Sequence, residues 1–304
     1  MTEPSRALFF GVLVGSGLAW GSTQALGKMA VSTGHLPAGL VLWQLCIGTM
    51  VLGAILLVRR RPLPLTRASL TFGVVVAVIG TLIPNTAFYI SVVHLPAGVM
   101  SILISTIPLM AFPIALALGM DRLGAGRVIG LLLGMGGVLL IALPQASLPD
   151  RAMVAFLPLA MLGPLFYAME SNFVARFGTA GMDPFQAMFL ASACGAVICL
   201  PVALALGQVI DPTAPWGRAE IAISLSSVIH VFAYTAYVWL AARAGAVFAS
   251  QSSYIVTGSG LIWAMVLLGE RFSGWIWAAL ILLMAGIALV QPRQPARAAT
   301  ERLI

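Results

Sequence analysis

Two strongly ionisable side chains stand inside long apolar runs of this 304-residue chain, Glu170 and His230. A carboxylate in a lipid-like interior is costly and needs a partner, water or a task. For Glu170 the sequence leaves two uses open, a proton-coupling role or an ion pair with Arg176 or Arg243. His230 has a side chain that titrates near neutral pH when solvated, so coupling and neutral hydrogen bonding are both open to it. Ser259, in the run Thr257-Gly258-Ser259-Gly260, could pair with His230 as an intramembrane hydrolase does. That run lacks the leading glycine of a GxSG motif, so the hydrolase is the lesser alternative and no catalytic residue is assigned. Cys46, Cys194 and Cys199 lie in apolar runs without ligand spacing, which predicts neither a metal site nor a disulfide framework. With no nucleotide-binding motif either, no cofactor is expected.

These groups must be positioned by elements of an unusual composition. Hydrophobic residues make up 61% of the chain and charged ones 8%, with a mean hydropathy of +1.04. Soluble domains carry about 25% charged residues, so most of this surface is built for lipid. The net charge of +7 would fit nucleic acid only if the basic residues formed a patch with aromatics; they sit instead in short loops. Nucleic acid is excluded as a partner.

Crossing the hydrocarbon core takes about 20 helical residues. Apolar runs of that length fall at 7–29, 37–58, 69–91, 97–118, 125–143, 153–176, 184–206, 219–242, 246–268 and 274–290. The first is long and lacks a cleavage site, so it reads as a retained helix and not a signal peptide. With the N-terminus inside, Arg6, Arg59, Arg60, Arg61, Arg67, Arg122, Arg127, Arg176, Arg243, Arg293, Arg297 and Arg302 face the cytoplasm. Only Lys28, Arg151, Arg218 and Arg271 face away, which predicts an N-in, C-in topology.

The chain also repeats itself. An offset of 149 residues lays Thr86 on Thr235, Ala97 on Ala246, Ser101 on Ser250, Arg122 on Arg271 and Gly137 on Gly286. The expected fold is an all-α polytopic membrane protein of ten transmembrane helices in two five-helix repeats. Because five is odd, the second copy must enter the membrane upside down, an inverted-topology repeat. The first repeat spans 1–148, the second 149–290, and 291–304 forms a polar cytoplasmic tail. Gly126, Gly130 and Gly134 give a small-residue ridge on the fifth helix. Asp121 and Glu270 read as caps or ion partners at helix ends.

Interruptions fall at related places in the halves. Pro84, Pro108, Gly163, Pro164, Gly258 and Gly260 are expected hinges, since broken helices survive in lipid only beside protein or a cavity. Polar and aromatic residues gather at the same depth. His230, Tyr234 and Tyr237 share a helix face, and their counterparts include Thr81 and Asn85. Gln251, Tyr254 and Gly258 form a second stripe whose counterparts in the first half are Ile102, Ser105 and Leu109, with Ser101 one turn above Ser105, while Trp20 and Tyr167 add aromatic surface. The eleven polar and aromatic residues among these are the expected substrate-binding set, suited to a small zwitterion or an amphipathic solute with a ring or alkyl tail. The alternative is that each polar group merely ties helices together, worth about 0.6 kcal/mol apiece.

The segments LAWGSTQALGK (18–28), LGMDRLGAGRVIGLLLGMGGVLLIALP (118–144) and LLGERFSGWIWAALILLMAGIALVQP (267–292) resemble the drug/metabolite transporter superfamily, EamA type. Within it the chain most resembles the YddG-type exporters of aromatic and other amino acids. It departs from many members at Tyr167-Ala168, where they carry Trp-Ala. The resemblance implies a secondary transporter exporting amino acids by alternating access, with helices 1, 3, 4, 6, 8 and 9 lining a midplane site. Its partners would be a small-molecule substrate and membrane lipid, in a bacterial inner membrane. Export of other metabolites or cationic drugs is the alternative. Phosphorylated cargo would need Arg or Lys at mid-depth, and none stands there. Oligomeric state is left open.

Overall fold

The computed structural model describes residues 6–142, 148–244 and 252–290, and the backbone alone at 6, 238 and 241–244. Among the described residues there is no strand. Helices occupy the apolar runs: α1 (Arg6–Ala30), α2 (Pro37–Val58), α3 (Arg67–Ala77), α4 (Ile83–His94), α5 (Ala97–Ile104), α6 (Ile107–Ala117) and α7 (Ala125–Ala142). They continue as α8 (Leu157–Phe177), α9 (Pro184–Ala205), α10 (Arg218–Ala244), α11 (Ser252–Leu268) and α12 (Gly274–Val290). Seven stretches are long and apolar enough to cross a membrane, Arg67–His94, Ala97–Ala117 and Arg151–Phe177 among them. α11 and α12 are shorter apolar helices, and α1 carries Ser16, Ser22, Thr23 and Gln24 among its apolar residues. The chain is thus an integral membrane protein.

Local chemistry sets the ends. Pro37 and Pro184 open α2 and α9, where a missing N–H costs nothing. Asp183 accepts from the amides of Phe185 and Gln186, and Gln186 returns the bond to the Asp183 amide, a complete capping box. Gly119 and Gly269 follow α6 and α11 at φ of +69° and +67°, values a β-carbon disfavours.

Two helices are broken in the first half, each by a proline. Between α3 and α4 the chain widens into a π turn, Val78–Leu82, directly before Pro84. Proline offers no N–H to the carbonyl of Gly80 and its ring crowds that carbonyl, so the turn takes an extra residue. Between α5 and α6 the helix stops at Ser105 and Thr106, ahead of Pro108. Their hydroxyls donate to the carbonyls of Ile102 and Leu103, both at 2.6 Å.

In the second half α8 runs through Gly163 and Pro164 as one helix, and α11 runs unbroken through Gly258 and Gly260. The expected interruption of α11 is therefore not present in this structure. Glycine keeps its N–H and adds no ring, so it permits a break without forcing one. Gly260 instead allows close packing: a β-carbon there would fall 2.6 Å from Ser101 Cβ.

Packing exchanges the two halves. α1 lies on α10 and α11, and α8, its counterpart, lies on α4, α5 and α6. α2 packs on α9, α5 on α11 and α7 on α12, each pair joining equivalent helices. The α7–α12 contact is backbone to backbone. A β-carbon at Gly286 would lie 2.6 Å from the Gly130 carbonyl oxygen, and one at Gly130 would lie 2.7 Å from that of Gly286. Gly126 has no such neighbour, so the small-residue ridge is a seam only from Gly130 onward.

Both ends of the bundle are tied by charge. Lys28 Nζ donates to the carbonyls of Val92 and Leu95, at 3.0 and 2.6 Å. The Glu270 carboxylate accepts from the amides of Ala97 and Gly98, at 2.7 and 3.0 Å, capping α5. Asp121 pairs with buried Arg127, whose guanidinium lies 5.0 Å from the Phe112 ring centroid.

Candidate functional site

Between the halves lies a cavity of about 380 Å³. Ligand sites run from about 300 to 1,000 Å³, so it holds one small organic molecule. Trp20, Thr23 and Gln24 of α1, Gly80 and Thr81 of the π turn, and Pro84, Asn85, Phe88 and Tyr89 of α4 form one wall. Ser105 and Pro108 line it at the α5–α6 break, and Gly163, Pro164, Tyr167, Glu170 and Ser171 line it from α8. Ser226, His230, Tyr234 and Tyr237 of α10 and Ser252, Ser253, Val256 and Thr257 of α11 complete the lining, with Gln44 of α2 and Met188 of α9. A side pocket of about 40 Å³, room for a water, adjoins it beside Gln44, Asn85, Tyr167 and His230.

Each break lies on this wall. The π turn brings Gly80 and Thr81 to the lumen, and Gly80 faces Glu170. A β-carbon at residue 80 would stand 2.6 Å from Glu170 Oε1 and 2.7 Å from Oε2, so any larger residue there must push the carboxylate aside. Glu170 has no ion pair or hydrogen bond among the described residues. Of the two expected arginines, Arg176 is exposed near the end of α8 and does not pair with it, and the Arg243 side chain is outside the described residues.

A hydrogen-bonded chain crosses the wall. The Tyr167 hydroxyl donates to Asn85 Oδ1 at 2.8 Å, Asn85 Nδ2 donates to Gln44 Oε1 at 3.2 Å, and the Tyr89 hydroxyl donates to the same oxygen at 3.2 Å. It joins α8, α4 and α2, so it fixes the orientation of Asn85 and both tyrosine rings. Opposite, Trp20 meets His230 edge-on at 5.7 Å and 88°, and meets Tyr237 at 6.4 Å. Six aromatic side chains therefore bound the cavity: Trp20, Phe88, Tyr89, Tyr167, Tyr234 and Tyr237.

Of the expected binding residues, Trp20, Thr81, Asn85, Ser105, Tyr167, His230, Tyr234 and Tyr237 line the cavity. Ser101 does not; it is fully buried, its hydroxyl donates to the Ala97 carbonyl, and it packs against Gly260. Tyr254 packs on the apolar cluster that contains Leu103 and Leu109. Gln251 is outside the described residues. The sequence reading did not single out Gln24, Gln44, Tyr89 or Ser171. Gln24 and Gln44 had a signal, an amide inside an apolar run, while Tyr89 lies one helical turn beyond Asn85.

Ser259 is a packing residue. Its hydroxyl lies 3.4 Å from the Gly17 carbonyl and 3.3 Å from that of Val256, and it is not on the cavity wall that His230 lines. The serine and histidine of the hydrolase reading are not brought together around a common space.

The EamA-like transporter family's model matches the chain twice, over residues 7–143 and 155–291. No curated protein matches it. A crystal structure of a protein 19% identical superposes with a TM-score of 0.62, covering 94% of this chain and 98% of that one, a likeness of fold. The two matched repeats span most of a membrane-embedded helical chain, which belongs to the EamA-like transporter family of the drug/metabolite transporter superfamily.

Proposed function

We propose that the protein is a secondary transporter that exports amino acids, aromatic and other apolar ones favoured, from the cytoplasm by alternating access. The carrying observation is the cavity itself: about 380 Å³, walled by both repeats, with aromatic surface and scattered polar groups. Such a space accepts a small polar head and a ring or alkyl tail together. No Lys or Arg is among its described lining residues, which disfavours phosphorylated cargo.

In this reading ten spans form two inverted five-helix repeats in a bacterial inner membrane, N-in and C-in. The halves rock about the cavity, and the proline-broken segments at Pro84 and Pro108 bend as they do so. The test is uptake and counterflow in proteoliposomes with labelled phenylalanine, tryptophan, methionine and threonine. Saturable flux that accelerates with amino acid on the opposite side is the expected result. If no amino acid moves, the cargo assignment falls.

A further inference from the structure

The polar groups of the cavity wall are unevenly matched. Four of its eight serine and threonine hydroxyls point their protons away from the lumen. Thr23 donates to the Trp20 carbonyl at 2.7 Å, Ser105 to Ile102 at 2.6 Å, Ser171 to Ala168 at 2.9 Å and Thr257 to Ser253 at 2.8 Å. In membrane helices this back-bonding leaves each hydroxyl oxygen facing outward as an acceptor. Tyr167 and Tyr89 donate within the wall network as well.

Two strong acceptors are left without donors. Gln24 Oε1 is buried and has no hydrogen-bond partner. Glu170, seated against Gly80, has no ion pair or hydrogen bond among the described residues, and no Lys or Arg is among the described residues that line the cavity with it. A carboxylate enclosed with aromatic faces and lone pairs is poorly solvated unless a cation joins it. An ammonium group fits this wall best, because it brings positive charge and several N–H donors, and aromatic faces attract cations.

We propose that the cargo is held through a protonated amino group set against Glu170, with its ring or alkyl body among the aromatic side chains, and that a cargo carboxylate is dispensable. This rests on the transporter reading above and narrows it. The recognised class is the amphipathic organic amine, of which an apolar amino acid is one case and its carboxylate-free counterpart another.

The experiment uses the full chain, purified in detergent for binding calorimetry and reconstituted for flux. The probes are phenylalanine, 2-phenylethylamine, N-acetylphenylalanine, 3-phenylpropionate and phenyltrimethylammonium. Phenylethylamine is expected to bind at least as tightly as phenylalanine. N-acetylphenylalanine and phenylpropionate are expected to bind about 10- to 100-fold more weakly, the range of a lost charge-assisted hydrogen bond. Phenyltrimethylammonium, with charge but no N–H, should fall between. Glu170→Gln should weaken phenylethylamine by the same about 10- to 100-fold. Gly80→Ala, which presses a methyl on the carboxylate, should weaken it in the same direction and serves if the first variant does not fold.

If the acetylated or amine-free probes bind as well as phenylethylamine, or if both variants bind it unchanged, the amine subsite is wrong. If amines bind through Glu170 but nothing crosses the membrane, the subsite stands and the transporter reading fails. If none of the probes binds, the subsite is overturned, while the flux of other solutes judges transport separately.

Discussion

Lys28 and Glu270 grip one short connection from its two sides. Lys28 holds the carbonyls of Val92 and Leu95 at the end of α4, and Glu270 holds the amides of Ala97 and Gly98 at the start of α5. Each charge meets the helix terminus of opposite polarity, an ammonium on a C-terminal end and a carboxylate on an N-terminal end. Glu270→Ala frees two amides that have no other partner of their own helix. It is expected to lower stability by about 1–2 kcal/mol, as a lost helix cap does. Thermal unfolding in detergent measures this, and an unchanged midpoint would show the cap to be idle.

Tyr167 and Asn85 should be energetically coupled. Tyr167→Phe leaves Asn85 Oδ1 without its donor at little change in shape, at an expected cost of about 0.5–1.5 kcal/mol. A double-mutant cycle with Asn85→Ala should return a coupling energy of about 1 kcal/mol. Strict additivity of the two changes would contradict the bond.

The glycines of α7 and α12 are expected to divide by position. Gly130→Ala and Gly286→Ala each drive a methyl into a facing backbone carbonyl, which no rotamer change relieves, and should cost about 1–3 kcal/mol or more. Gly126→Ala meets open space and should be neutral or stabilising by up to about 1 kcal/mol through helix propensity. Equal effects at all three positions would mean that α7 and α12 are not this close.

Single cysteines report the cavity, in a background with Cys46, Cys194 and Cys199 replaced. Tyr234→Cys and Ser171→Cys should react with water-borne thiol reagents and be protected by cargo. Ser101→Cys and Ser259→Cys should stay unreactive, since those side chains are buried in the α1–α5–α11 contact. Reaction at Ser259 before Tyr234 would reverse the assignment of walls.

Ser259→Ala also tests the hydrolase alternative. Among the described residues the hydroxyl's hydrogen-bond partners are the carbonyls of Gly17 and Val256, at 3.4 and 3.3 Å, so its loss should leave cargo binding within about twofold. Full loss of function in a variant that still folds would restore Ser259 as a functional group.

The helical class and the placing of helices along the chain were legible before any coordinates. A 20-residue apolar run bounded by Pro, Gly or Arg has one satisfactory structure in lipid, because every backbone group must bond within its own segment. Pro184 after Asp183, with Gln186 to close the box, fixed the start of α9 on local grounds alone. The repeat was legible too, since a constant offset survives wherever both copies bury equivalent contacts.

The site was only half legible. His230, Tyr234 and Tyr237 share one face of one helix, so spacing alone groups them. Whether Ser101 or Ser105 met the lumen depended on the turn that ends α5 ahead of Pro108, which rotates one serine to the wall and the other into the core. Pro84 four residues on marks a turn at Gly80 and Gly258 has no such neighbour, but what Gly80 faces is not local. Gly80 faces a carboxylate because Pro84 opens a π turn behind it and because α8 happens to cross at Glu170, ninety residues away in sequence. Period and composition fix which residues lie along one helix. Which helix stands opposite, and so which acceptor lacks a donor, is decided by packing between segments far apart in the chain.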